Sequence, residues 1–147
     1  MFRHILLPTD GSPVADKAVK AGLKLARELG ARVTGYYAIE RVPAPMYAEG
    51  YIPDARTLAL WDRGAREHGE RQIAAMAKLA KAARVRFRGV SAQAATPADG
   101  IVRAARRHGC DAIFMASHGR SGIARLVMGS VTERVIRTAS VPVIVYR

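Results

Sequence analysis

Ile5-Leu6-Leu7-Pro8-Thr9-Asp10-Gly11-Ser12-Pro13 holds a strand, a tight connection and a helix start in nine residues. The run from Ile5 to Leu7 has no polar alternation, which is how a strand covered on both faces reads. Thr9-Asp10-Gly11 breaks it. Ser12 is placed to accept a hydrogen bond from the first helical turn, and Pro13 stands where a helix tolerates proline. Val14, Ala18, Leu25 and Leu29 follow at helical spacing, and Gly30 is a stop signal.

The same alternation continues outward from this unit. Arg32 to Ile39 reads as a second strand, with Val33, Tyr36, Tyr37 and Ile39. Glu40 to Ala55 has no period and carries Pro43, Pro45, Pro53, Tyr47 and Tyr51, so a long loop is expected, either a lid or a variable surface loop. A long helix is expected from about Arg56 to Ala83, with Leu58, Trp61, Ala65, Ile73, Met76, Ala80 and Ala83 on one face. Gly64 and Gly69 inside it each weaken it by roughly 1 kcal/mol.

Val85 and Phe87 alternate with Arg84, Arg86 and Arg88, which predicts a third strand. Three arginines on one face protect a sheet edge or contact a polyanion. Thr96-Pro97-Ala98-Asp99 opens a helix running to His108. Asp111 to Ala116 is a fourth strand, Ser130-Val131-Thr132-Glu133 reads as a capping box, and Val141 to Tyr146 is a fifth strand with Pro142 near its start, suiting an edge. Strands alternating with helices predict an α/β sandwich with a mostly parallel sheet and right-handed crossovers.

Composition narrows the function. The chain has 147 residues, 50% hydrophobic and 24% charged, which fits one folded domain over 1–147 rather than a disordered chain. No apolar stretch is long enough to span a membrane, and the Met1 to Leu7 segment is too short for a secretory signal, so the cytosol is the expected compartment. Cys110 is the single cysteine, which excludes an intramolecular disulfide and a cysteine zinc cluster. A buried structural thiol is expected there. Lysine and arginine total 24 against 12 acids, a net charge of +12. Such a surface attracts anions or simply aids solubility. Aromatics are 6%, and no nucleic-acid module is recognisable, so nucleic-acid binding is a minor expectation.

In open parallel sheets, ligands bind beyond the carboxyl ends of the strands, where strand order reverses. Pro8-Thr9-Asp10 follows the first strand, and the Asp10 carboxylate there either caps the turn or accepts sugar hydroxyls or helps hold a cation. Met115-Ala116-Ser117-His118-Gly119-Arg120-Ser121-Gly122 ends the fourth strand, and Gly129-Ser130-Val131-Thr132 opens the next helix. Gly119 and Gly122 permit close backbone approach. Gly129-Ser130 presents unpaired N–H groups at a helix start, a natural phosphate site. Arg120 and Arg125 add positive charge, and the Ser130 and Thr132 hydroxyls can reach phosphate oxygens. His118 donates a hydrogen bond or shapes the loop. Walker, G-x-G-x-x-G and G-x-S-x-G signatures are absent, and His4, His68, His108 and His118 lack metal spacing.

With these residues in view, the chain resembles the universal stress protein family over nearly its whole length. Ile-Leu-Leu-Pro-Thr-Asp-Gly-Ser at 5–12 is similar to the family's opening. Asp111 to Gly119, Gly129 to Thr132 and Val141-Pro142-Val143 are similar to its last third. Nucleotide-binding members carry G-x2-G-x9-G-[ST]. Gly119, Gly129 and Ser130 occupy the second, third and fourth positions, whereas Ala116 stands at the first. Ala95 likewise stands where relatives often have glycine.

The resemblance implies a three-layer sandwich, with a five-stranded parallel sheet in the order 3-2-1-4-5 and helices on both faces (adenine nucleotide alpha hydrolase-like). It implies ATP as ligand, with or without Mg or Mn, with Asp10 near ribose and the main chain near Ala38 at adenine. Gly119, Gly129, Ser130, Val131 and Thr132 would hold phosphates, and dimerisation would use the last strand. No general base and no Walker lysine are placed for rapid turnover, so ATP is expected to regulate, with at most slow hydrolysis. The alternative, favoured by Ala116, is a dimeric interaction module that binds no nucleotide.

Overall fold

The computed structural model describes residues 1–40, 53–118 and 128–147. Its elements are β1 (His4–Thr9), α1 (Pro13–Leu29), β2 (Arg32–Ile39), α2 (Ala55–Ala82), β3 (Phe87–Gln93), α3 (Pro97–Arg107), β4 (Ala112–Ala116), α4 (Ser130–Thr138) and β5 (Val143–Tyr146). The strands form one sheet in the order β3-β2-β1-β4-β5, with every pairing parallel. The expected three-layer sandwich and strand order are therefore observed.

Strand alternation divides the core in two. Ile5, Leu7, Ala112 and Phe114 point to the face covered by α1 and α2. Leu6, Ile113 and Met115 point to the face covered by α3 and α4. β1 is buried at all six positions and β4 at all five, as unbroken apolar runs on inner strands require.

Local signals explain most element starts. The Ser12 Oγ accepts from Ala15 N at 3.2 Å, with Pro13 in the first turn of α1. Thr96 Oγ1 accepts from Asp99 N at 3.2 Å at the start of α3. The Asp99 carboxylate turns to Arg134 of α4 at 3.1 Å, tying the two helices of that face.

Four readings need correction. The buried stripe of α1 is Ala15, Ala18, Val19, Gly22, Leu23 and Ala26, and Val14 is exposed. Small side chains bring this helix close to the sheet: a Cβ on Gly22 would lie 2.5 Å from Leu7 Cδ2. The third strand begins at Phe87, not with the arginine alternation. Arg84 lies in the left-handed region at φ 55°, and Val85 N donates to Ala80 O, so 84–85 wrap the end of α2. Only Arg88 of the three arginines is in β3. Gly69 is a packing position, because a Cβ there would stand 3.0 Å from the Tyr37 ring. Ser130 is the first helical residue of α4 rather than its cap; Gly129 is the cap and makes no side-chain hydrogen bond. The loop expected over Glu40 to Ala55 falls mostly at 41–52, outside the described residues.

Candidate functional site

Strand order reverses between β2 and β4 on either side of β1, and a cleft of about 250 Å³ opens beyond their carboxyl ends. Of the residues expected from sequence, Pro8, Thr9, Asp10, Ala38, Met115, Ala116, His118, Gly129, Ser130, Val131 and Thr132 all line it. Gly119, Arg120, Gly122 and Arg125 lie outside the described residues.

The β1 end is rigidly built. Thr9 Oγ1 accepts from Gly11 N at 3.1 Å, and Asp10 Oδ1 accepts from Ser12 N at 2.9 Å. Asp10 therefore does cap its turn, and it lines the cleft as well. Gly11 takes φ 76°, which lets the chain reverse sharply into α1.

The β4 end is joined to the start of α4 by two bonds. Gly129 N donates to Ser117 O at 2.9 Å, and the buried Thr132 hydroxyl donates to Ala116 O at 3.0 Å. The Thr132 hydroxyl proton is thus committed to the main chain rather than offered to a ligand. Glu133 N is the first amide of α4 with a helical acceptor, Gly129 O. The amides of Ser130, Val131 and Thr132 precede it and, among the described residues, meet no capping side chain, so positive partial charge accumulates at the cleft wall.

His118 shares this wall. Its Nδ1 lies 2.8 Å from Ser117 Oγ, and among the described residues its buried Nε2 has no hydrogen-bond partner. A buried ring nitrogen left unpaired is costly unless a ligand or water meets it. Ala116 is buried, and its methyl joins the cluster on the α1/α2 face. Met115 packs on the other face with Tyr36 and Ile101, which line the cleft.

Sequence reasoning missed Ala15, Tyr36, Glu40, Pro97 and Ile101 of the lining. Tyr36 and Ile101 carried a signal as core positions of β2 and α3. A Cβ at Gly100 would collide with the Tyr36 hydroxyl, so that glycine lets α3 close over β2. Burial pushes the Tyr36 hydroxyl above its ordinary pKa, with Arg103 opposing, so it is a neutral donor. Among the described residues no group of three or more His, Cys, Asp or Glu is arranged to hold a metal ion. None of the helices described is long and apolar enough to cross a membrane.

A parallel sheet in this order, with its cleft at the switch point and an uncapped helix start in the wall, defines the doubly wound α/β class. The universal stress protein family profile matches residues 1–147, and the chain belongs to that family. Universal stress protein MJ0531 of Methanocaldococcus jannaschii is 31% identical over 148 residues, covering 100% of this chain and 83% of the relative. The solved structure of MJ0577 from the same organism superposes with TM-score 0.82 at 24% identity, covering 99% of this chain and 95% of that one. A universal stress protein crystallised in complex with cAMP superposes with TM-score 0.69 at 21% identity, covering 99% and 97%.

Proposed function

We propose that the protein is an ATP-binding universal stress protein in which the nucleotide acts as a regulatory ligand. The observation that carries this is the uncapped first turn of α4, which turns three main-chain amides toward the cleft beside Gly129. The triphosphate would lie against those amides, Asp10 would meet the ribose, and the main chain near Ala38 would meet adenine. The unpaired Nε2 of His118 supports a polar ligand group in the same wall. A relative that binds cAMP on this fold supports adenine nucleotides as the ligand class. Mg or Mn would be carried in with the phosphates. The described lining has carboxylates Asp10 and Glu40 but no lysine or arginine, so it supports holding a nucleotide better than cleaving one.

Dimerisation through β5 belongs to the same reading. Val143–Tyr146 is a half-buried apolar strand at the sheet edge, with one side paired to β4. Light scattering on the purified chain tests it: a dimer that Val145→Pro, at an N–H the register turns away from β4, reduces to monomer is expected.

Calorimetric titration of ATP, with and without magnesium, tests the nucleotide site. Micromolar binding by the natural chain and its loss in Gly129→Val are expected. No binding would reject the site. Ala116→Gly separates the two readings of the family. Because the Ala116 methyl packs on the α1/α2 face, ATP affinity should change less than about threefold, under 1 kcal/mol. A chain that binds ATP only after Ala116→Gly is instead the interaction module.

A further inference from the structure

We propose that the opposite end of the sheet carries a second anion site, built by Arg32, Arg86, Arg88 and His108, for a compact anion with two or three phosphate groups. These residues line a recess of about 310 Å³ whose floor is His4 and Thr34.

Strand register brings the charges together. His4 of β1 is aligned with Arg32 of β2, and Thr34 is aligned with Arg88 of β3. Arg86 stands beside them, its carbonyl accepting from Val33 N at 2.8 Å. In a parallel sheet aligned residues share a face, and i, i+2 residues share it too. Arg32, Thr34 and Arg88 are therefore on one face, the α3/α4 face, and His108 at the end of α3 closes the recess. Arg32 comes from β2, Arg88 from the edge strand and Arg86 from the residue just before that strand, so they converge rather than form a ridge that protects that edge.

The charge is uncompensated where it converges. None of the recess-lining residues is acidic. Among the described residues Arg32, Arg86 and Arg88 make no ion pair. The nearby carboxylate of Asp111 accepts instead from the main-chain N–H groups of Arg3 and His4, at 2.8 and 3.0 Å. The histidines register the field: His108 is held below its ordinary value by burial and then by Arg88 and Arg107, and His4 by burial and then by Arg32.

The floor is tied together by hydrogen bonds of its own. His4 Nε2 is 2.8 Å from the Thr34 hydroxyl, and its Nδ1 is 3.2 Å from Gly109 O. Planar guanidinium forks recognise phosphate oxygens in pairs, so three arginines suit more than one phosphate group. Beyond the His108 imidazole, no aromatic side chain is offered for a base. The Phe87 ring packs instead toward Gly35 and Met76 in the cluster on the other face. This favours a small oligophosphate over a nucleic acid strand, whose bases would seek a stacking platform. The recess and the nucleotide cleft lie at opposite ends of β2, about 20 Å apart at the rise of a strand.

The test is titration of inorganic tripolyphosphate into the full chain at low salt, followed by calorimetry and by the ring resonances of His108. Apart from any tripolyphosphate taken up by the nucleotide cleft, one saturable equivalent that shifts the His108 ring resonances is expected, with the His108 pKa rising on binding and inorganic phosphate binding far more weakly. Arg86→Gln with Arg88→Gln should weaken binding by about 100-fold, tenfold for each charge-assisted contact. Both side chains are exposed, so the fold should persist, checked by circular dichroism. Gly129→Val removes the phosphate cradle of the nucleotide cleft, and the equivalent that shifts the His108 ring should persist in it. An unchanged His108 titration in the double variant would overturn the proposal, as would its loss in Gly129→Val, which would place the anion in the nucleotide cleft. Non-saturable binding, or retention of an oligonucleotide without any tripolyphosphate binding, would overturn it too.

Discussion

Thr132→Val tests how the start of α4 is held in place. The two side chains have nearly the same shape, and both are β-branched, so helix propensity barely changes. What is lost is the hydroxyl that donates to Ala116 O at 3.0 Å, at a residue only 2% exposed. A typical net hydrogen bond contributes about 1 kcal/mol, and a buried acceptor left unpaired costs about 1–3 kcal/mol. A loss of about 2 kcal/mol follows, which lowers Tm by about 6 °C for a chain of this size. Thr132→Ser keeps the hydroxyl and removes a methyl, at about 1 kcal/mol. Differential scanning fluorimetry, backed by urea unfolding, measures both. The same bond orients the first-turn amides of α4, so on the proposed nucleotide-binding reading Thr132→Val should also weaken ATP binding by several-fold, and Thr132→Ser much less. If valine is as stable as threonine within a few tenths of a kcal/mol, and binds ATP equally well, the bond does not position the helix start.

Two glycines should respond in opposite directions to alanine. Gly64→Ala meets nothing within 4 Å in α2 and should stabilise by up to about 1 kcal/mol. Gly22→Ala drives a methyl against Leu7 and Phe114 and should destabilise by about 1–2 kcal/mol despite the better propensity, both changes read from urea midpoints. Lowering the pH from 8 to 5.5 should cost stability. Burial, then the charge of Arg32, hold the folded His4 pKa below its ordinary 6.5, so the unfolded chain takes the proton first and stability falls as pH drops through that value. His108, also lowered, adds in the same direction; a midpoint that rises on acidification would refute this. Burial pushes the Cys110 thiol up to about 11, leaving about one thiolate in a thousand at pH 8. Its labelling by a thiol reagent should therefore track global unfolding, and rapid modification of the native chain would contradict it.

Local chemistry was written plainly in the chain. Apolar runs at Ile5–Leu7 and Ala112–Ala116 announced inner strands, because burial on both faces removes alternation. Ser12-Pro13 and Thr96-Pro97 announced helix starts, because their hydroxyls satisfy amides a few residues away. The cleft was legible for a related reason: the carboxyl ends of inner strands and a Gly-Ser helix start are short, contiguous signals. The arginine alternation at 84–88 misled, since a period of two arises equally where a helix unwinds through a residue at positive φ. Gly69 read as a helix weakness because its reason is the Tyr37 ring, 32 residues away in sequence.

The alternation of elements, the caps, the phosphate-type motif and the family resemblance were all readable along the chain, since each depends on residues near one another in it. Tertiary structure alone decided which side chains meet. It committed the Thr132 hydroxyl to Ala116, turned the Ala116 methyl to the α1/α2 face, and brought Tyr36 and Ile101 into the cleft. It also gathered Arg32, Arg86, Arg88 and His108, spread over 77 residues, around one recess. Register does this, because aligning parallel strands sets lateral neighbours that no local spacing encodes.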